Sequence, residues 1–251
     1  MFVTCQACGA KIEVGPSGSY CPYCGSFVEA PKAQHTSEPL YEQKSSLVNE
    51  PVETKKQNAA RDVYENNIDG VCIIDNIEDS ATGSGFIYKK SGLVITNAHV
   101  IYYDKKSRPS NDIKVHVNGK VYDATVINSN KPEGDDDIAL VQIKSNDYFH
   151  ELEIGNFDEV HNGDEVIAIG NPKGEGLSIT RGIVSDCQRR YGKQHYLMSD
   201  VTINGGNSGG PLFNENGQVI AICVSKRVEA DNMNFFIPIS HVLDFIHRWG
   251  Y

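Results

Sequence analysis

No stretch of the 251 residues approaches the ~20 consecutive apolar residues that a membrane-spanning helix needs, so a membrane protein is not expected. The chain also lacks an opening basic segment followed by an apolar one. Met1-Phe2-Val3-Thr4-Cys5-Gln6 reads as no secretory leader, and the expected compartment is the cytoplasm. Basic charge is scarce: Lys plus Arg number 23 against 33 for Asp plus Glu, a net charge of −10 at pH 7. Residues 1–28 are neutral, holding Lys11 and Glu13, while residues 29–60 carry −1 and residues 61–251 carry −9. Without a basic face to neutralise phosphates, a nucleic-acid partner is not expected. No internal repeat of fixed period is present. What remains is an ordinary soluble composition, 39% hydrophobic and 22% charged, long enough for one large domain or for a medium domain with a small module.

Four of the seven cysteines fall in the first thirty residues, as Cys5/Cys8 and Cys21/Cys24, with twelve residues between the pairs. A glycine follows each pair (Gly9, Gly25), letting the chain turn so that both sulfurs face one ion. Four thiolates at this spacing predict one tetrahedral, structural zinc site. A module this short buries too little apolar surface to fold alone, so the metal supplies most of its folding free energy. Two other readings compete. Cys21-Pro22-Tyr23-Cys24 resembles a redox dithiol, but the twenty residues before it cannot build the βαβ unit on which such dithiols sit. A pair of disulfides is disfavoured in a reducing cytosol. The pattern over residues 5–25 resembles the zinc-ribbon modules that open many bacterial proteins.

Residues 29–60 are rich in Pro, Ser, Glu and Lys, have few apolar side chains and no periodicity, and read as a flexible linker. Beyond them, residues 61–251 change to short β runs bounded by turns: 71–74, 85–88, 93–96, 113–117, 121–127, 138–143, 165–169, 179–184, 196–203, 219–224 and 234–237. Asn118-Gly119 reads as a hairpin turn. So many short strands predict an all-β sandwich or pair of barrels rather than βαβ units. Helical patterning appears at 59–67 and at the end, where Ser240 is the expected cap of a helix carrying Val242, Leu243, Phe245, Ile246 and Trp249.

Three segments of the β region carry chemistry. In Thr96-Asn97-Ala98-His99-Val100, a histidine at a strand end has the pKa range of a general base, although alone it is more often a hydrogen-bonded surface residue. In Asp135-Asp136-Asp137-Ile138-Ala139-Leu140-Val141, Asp137 abuts the apolar run, suited to fix an imidazole tautomer, while Asp135 and Asp136 are expected in solvent. The bland reading is a charged turn, and the spacing of an EF-hand loop is missing. In Asn204-Gly205-Gly206-Asn207-Ser208-Gly209-Gly210-Pro211-Leu212, four glycines around one serine permit a tight turn that exposes a hydroxyl and gathers backbone N–H groups. A phosphate loop is the competitor, but no Lys-Ser/Thr pair follows and Pro211 opens a strand-like run rather than a helix.

The chain order His, Asp, Ser is that of the chymotrypsin-type arrangement. Over about residues 61–250 the sequence resembles the trypsin-like serine proteases, specifically the HtrA/Deg group. Besides the three segments, the stretches that carry the likeness are Gly83-Ser84-Gly85-Phe86-Ile87, Gly170-Asn171-Pro172, Ser178–Ser185 and Phe235-Phe236-Ile237-Pro238. The resemblance implies a chymotrypsin-like fold of two six-stranded β-barrels with a C-terminal helix, preceded here by the small zinc-ribbon module. It implies a serine endopeptidase with His99, Asp137 and Ser208 as triad and the N–H groups of Gly206 and Ser208 as oxyanion hole, needing no cofactor for catalysis. In the family's frame Thr202 lies at the base of the primary pocket, with Cys223, Val224, Ser225, Phe236 and Ile237 as walls. No acidic residue is placed there, so cleavage after small or medium aliphatic residues is expected. Protein or peptide substrates, a homotrimer and a role in quality control or regulated proteolysis follow from the same likeness. Relatives commonly carry a C-terminal PDZ domain and an export signal. Here a ribbon and tether in front are expected in place of both, as a recruiting module. Two other function classes compete: a latent or non-catalytic peptide-binding module on a protease fold, which typically has lost a triad member, and a zinc-ribbon nucleic-acid adaptor, which needs a basic surface. Cys72 and Cys187 are expected as buried thiols, as is Cys223, whose place near the pocket suggests sensitivity to thiol reagents.

Overall fold

A computed structural model of the chain describes residues 2–7, 9–15, 18–29, 59–131, 137–191, 194–224 and 234–251. The expectations for Cys8, Asp135, Asp136, Ser225 and most of the linker lie outside these residues. The chain divides into two compact units, one within residues 1–53 and one within 54–251.

The first unit is built of two short antiparallel ribbons, β1 (Phe2–Thr4) with β2 (Lys11–Glu13), and β3 (Ser19–Tyr20) with β4 (Phe27–Val28). Its core is small: Cys5, Ile12, Val14, Cys21 and Val28.

The second unit opens with α1 (Ala59–Asn67), the helix read from the sequence, and continues into two closed barrels. The first is formed by β5 (Val71–Asn76), β6 (Ala81–Lys89), β7 (Leu93–Thr96), β10 (Ile113–Val117), β11 (Lys120–Ser129) and β12 (Ala139–Ile143), in the order β10-β11-β12-β7-β6-β5. Between β7 and β10 lie α2 (Ala98–Ile101) and the paired short strands β8 (Tyr102–Tyr103) and β9 (Arg108–Pro109). The second barrel is formed by β13 (Glu165–Gly170), β14 (Ser178–Tyr191), β15 (Gln194–Ser199), β16 (Pro211–Asn214), β17 (Val219–Val224) and β18 (Asn234–Pro238), in the order β13-β14-β15-β18-β17-β16. α3 (Ile239–Arg248) follows.

Antiparallel pairing with short connections suits this sequence because the strands are short and their turns are rich in glycine and asparagine. Asn118 and Gly119 both take positive φ, 51° and 71°, as a two-residue hairpin with the right twist requires. The continuous apolar run of β7 is buried on both faces. Val94 faces the interior of the first barrel with Ile74, Ile87, Val115 and Val141. Ile95 joins a second cluster that holds Phe86 and Leu140 together with Ile167, Ile169, Phe213 and Ile222 of the second barrel, so the two barrels share one core between them.

Val242, Phe245 and Ile246 of α3 are buried in that shared core, as the periodicity predicts. Two details of this helix differ from expectation. Ser240 lies inside the helix and Pro238 occupies the N-cap position, because the extended backbone of β18 runs directly into the first turn. Trp249 falls just past the last turn and is 54% exposed.

Candidate active site

Register brings the first two candidate segments together. Ala139 of β12 faces Thr96 of β7 across an antiparallel pair, so the residues just before β12 lie beside those just after β7. The buried Asn97 fixes this approach by donating from Nδ2 to the carbonyl of Asp137 at 2.7 Å. One carboxylate then grips one histidine twice. The backbone N–H of His99 donates to Asp137 Oδ1 at 2.9 Å, and His99 Nδ1 lies 2.5 Å from Oδ2. An ionised carboxylate only accepts, so Nδ1 carries the proton and Nε2 keeps its lone pair. The carboxylate side chain is 7% exposed and the imidazole 25%, which leaves the ring open to a substrate while its partner is sheltered.

The third segment lies in the loop of residues 200–210 that joins β15 to β16, and this loop is held from three sides. Gly209 N–H donates to the carbonyl of Cys223, and Cys223 N–H donates to that of Gly210, at 3.0 and 2.9 Å. The Gly205 carbonyl accepts from the N–H of Lys173 at 2.6 Å, and the Ser208 carbonyl from that of Ser84 at 2.8 Å. Gly206 has φ +101°, and a Cβ there would collide with the carbonyl oxygen of Asn171, so no other residue fits without moving that turn. The Gly206 N–H itself makes no hydrogen bond among the described residues.

Gly83 shows that the serine and histidine segments converge. A Cβ added to it would press on the side chain of Val100, next to His99, and lie 3.2 Å from the carbonyl oxygen of Ser208. A Cβ at Gly209 would meet Thr96 Oγ1, the Ser84 carbonyl and, at 2.8 Å, the N of Asn97. Small residues at 83 and 209 are thus what let the histidine segment and the serine loop pack closely against each other.

Of the residues expected to shape a substrate pocket, Cys223 and Val224 of β17 lie beside Phe236 and Ile237 of β18, with Cys223 opposite Phe236 in the pairing. Thr202 is exposed, and its carbonyl accepts from Thr180 Oγ1 at 2.9 Å. Cys223 and Phe236 are wholly buried in the core of the second barrel. Val224 and Ile237 belong to the core shared by the barrels. Burial also pushes the Cys223 thiol up to about 12, which removes the physical basis for thiol-reagent sensitivity at that residue. Cys72 is buried with its pKa raised for the same reason, and Cys187 is partly buried.

Sequence reasoning assigned no role to Ser84, Thr96, Asn97 or Asn171, all of them buried polar residues beside this site. The available signal for Thr96, Asn97 and Asn171 was their position at or just past the end of an apolar strand, where an unpaired polar group is costly, whereas Ser84, inside β6, gave none.

In the first unit, the Sγ atoms of Cys5, Cys21 and Cys24 all lie within 4.8 Å of one another. Two matching turns present them. Gly9 N–H donates to the Cys5 carbonyl at 2.8 Å and Gly25 N–H to the Cys21 carbonyl at 2.9 Å, with φ +75° at both glycines. Cys5 Sγ is 3.7 Å from Cys24 Sγ. Tetrahedral Zn–S bonds of about 2.3 Å place sulfurs ~3.8 Å apart, so the donor set fits zinc. No disulfide links the described cysteines.

Comparison with known proteins agrees with the barrel unit. The family model for the trypsin-like peptidase domain matches residues 83–222. The chain is 36% identical to Serine protease HTRA3 of Rattus norvegicus over 177 residues, covering 67% of this chain and 38% of that protein. It is 36% identical to Putative protease Do-like 14 of Arabidopsis thaliana, covering 66% and 41%. It is 32% identical to Serine endoprotease DegS of Haemophilus influenzae over 203 residues, covering 76% and 57%. The chain therefore spans between about two fifths and three fifths of the length of these relatives.

Proposed function

The chain belongs to the trypsin-like peptidase family and is of HtrA/Deg type, and from that premise we propose that it is a serine endopeptidase working through His99, Asp137 and Ser208. The observation that carries the reading is the double hold of Asp137 on His99, through Nδ1 and through the backbone N–H. That hold fixes the tautomer in which Nε2 takes a proton. Ser208 Oγ attacks the scissile carbonyl as His99 Nε2 removes its proton, and the imidazolium so formed faces the Asp137 carboxylate. His99 then returns the proton to the departing amine, and water repeats the cycle on the acyl-enzyme. The N–H groups of Gly206 and Ser208 stabilise the oxyanion, a contribution worth ~10²–10³ in rate per donor.

Cleavage after small or medium aliphatic residues is part of this proposal, supported by an uncharged Thr202 at the expected pocket base; the nearby Asp200 carboxylate is occupied by the Ile183 N–H, which donates to Oδ1 at 2.7 Å. The organisation we propose is a zinc ribbon over residues 1–28, a linker over 29–60 and a protease domain over 61–251. Cys5, Cys21 and Cys24, with Cys8 as the fourth thiolate, would hold one structural zinc ion that supplies folding free energy and no catalytic step. The ribbon and tether would recruit protein substrates.

Hydrolysis of casein tests the reading, with wild type compared to Ser208→Ala and cut sites mapped by mass spectrometry. Cleavage by wild type alone, after Val, Ala or Ile, is the expected result. Cuts made equally by Ser208→Ala would overturn the nucleophile, and cuts after Arg or Lys would overturn the pocket assignment.

A further inference from the structure

One buried hydroxyl ties the first barrel to the loop that carries the oxyanion donor. Ser84 lies in β6, is fully buried, and has every polar atom engaged. Its Oγ donates to the Gly206 carbonyl at 2.7 Å and accepts from the Asn171 N–H at 2.9 Å. Its own N–H donates to the Ser208 carbonyl at 2.8 Å, and its carbonyl accepts from Thr96 Oγ1 at 2.7 Å. Three of these four bonds cross from the first barrel to the second.

The positions of those partners matter more than their number. Gly206 stands between two peptide planes. The carbonyl of the preceding plane, Gly205, is held by the N–H of Lys173 at 2.6 Å, and the carbonyl of the following plane is held by Ser84. Lys173 sits in the short turn that begins at Asn171, where Gly174 N–H bonds the Asn171 carbonyl and Gly176 N–H bonds Asn171 Oδ1. The Ser84 hydroxyl thus joins the base of that turn to Gly206 while the turn's own N–H grips the peptide on the other side. A glycine at φ +101° has wide freedom to rotate when either plane is released.

We infer that Ser84 is a positioning residue for the oxyanion site: its hydroxyl braces Gly206 against the Asn171 turn so that the Gly206 N–H is presented to the carbonyl oxygen under attack. This rests on the reading of Ser208 as nucleophile. A buried serine that only satisfied hydrogen bonds between barrels would affect stability without touching the chemical step, and the two roles separate experimentally.

The test compares wild type, Ser208→Ala, Ser84→Ala and Ser84→Cys on fluorescent casein. Active sites are counted by exhaustive labelling with a fluorophosphonate, so that kcat refers to competent molecules. Ser84→Ala is expected to lower kcat per labelled site about 10- to 100-fold, below the ~10²–10³-fold of a donor lost outright, with KM held and the pH inflection of kcat/KM in place. Affinity for an aliphatic peptide boronic acid, which needs the oxyanion site, should fall by a similar factor. Ser84→Cys keeps a weak donor and should recover part of the loss. Should Ser84→Ala fail to accumulate as folded protein, Ser84→Cys carries the same test against wild type. Wild-type kcat per labelled site in the variant, even with fewer labelled sites, would overturn the inference alone. A wild type that neither cleaves more than Ser208→Ala nor takes the label would overturn the protease reading, and this inference with it.

Discussion

Side chains of the barrel unit differ in how water reaches them, and that difference sets their chemistry. Asp137 is nearly sealed off, yet both its oxygens are used by one histidine. Cys223 is sealed off, and burial, only partly offset by its own backbone N–H, pushes its thiol up to about 12. Native protein treated with iodoacetamide at neutral pH should therefore keep its proteolytic activity, and among Cys72, Cys187 and Cys223 the partly buried Cys187 should be modified first. Peptide mapping checks this; early loss of activity with label on Cys223 would contradict it. Glu78 shows the opposite case. Its carboxylate takes a two-pronged bond from Arg108, at 2.9 Å on each oxygen, and further bonds from Asn111 N–H and Ser110 Oγ. The Arg108 guanidinium first, then the Asn111 N–H, lowers its pKa from 4.5 to about 2. Because the folded pKa lies below the unfolded one, this stabilisation is complete above about pH 4.5 and is lost as pH falls towards 2. Wild type should accordingly exceed Glu78→Gln in stability at pH 6, with the gap closing between pH 4.5 and 2; chemical denaturation at stepped pH measures it.

Elements carry a different lesson. β7 and β17, as hydrophobic runs of four and six residues, and β10, as the alternation Ile-Lys-Val-His-Val, are legible in the sequence because such patterns between turn signals permit little else. β6 is not: the reading begins at Gly85, whereas the strand begins at Ala81. Ala81-Thr82-Gly83-Ser84 offers no apolar alternation, and its extended form is imposed by pairing with β5, from Asn76↔Ala81 onward, and by the second barrel's need for small residues. β16 is only half legible for a related reason: the strand-like run opened by Pro211 is short and begins on proline, yet Pro211-Leu212-Phe213-Asn214 closes the second barrel by pairing with β13 and β17. The three segments proposed to carry the chemistry are readable as local motifs. The bonds of Ser84 Oγ to Gly206 and Asn171, by contrast, span 122 and 87 positions of the chain, contacts that no local pattern encodes. α3 is legible because its burial follows a helical period, and it also offers an energetic check. Phe245 is fully buried among residues of both barrels, so Phe245→Ala should destabilise the barrel unit by about 3–5 kcal/mol. Urea unfolding followed by fluorescence reports the shift, and a loss under about 1 kcal/mol would mean that the site collapses to fill the gap.

At the scale of the whole chain, the two units rest on cores of very different size. The barrel unit has three apolar clusters. Among the described residues the N-terminal unit has one, of five buried residues, and two of those five are the cysteines Cys5 and Cys21. Apolar burial on that scale does not offset the entropy of ordering even thirty residues, at roughly 1–2 kcal/mol each for the backbone. The three gathered sulfurs supply the missing term if they bind zinc, because metal bound only by the folded form adds its binding free energy to folding. Removing the metal should then unfold the first unit and leave the barrels standing. Treatment of the full chain with a strong zinc chelator is expected to release one zinc per chain and to expose the thiols of the N-terminal pairs to alkylation. The main thermal transition and the cleavage of a short aliphatic peptide should not change, since neither the barrel cores nor His99, Asp137 and Ser208 draw on the metal. Cleavage of casein is the measurement that bears on recruitment: a selective fall there, with peptide cleavage intact, is the result expected if the ribbon delivers protein substrates. An equal rate on both substrates after zinc loss would remove the recruiting role while leaving the structural one in place.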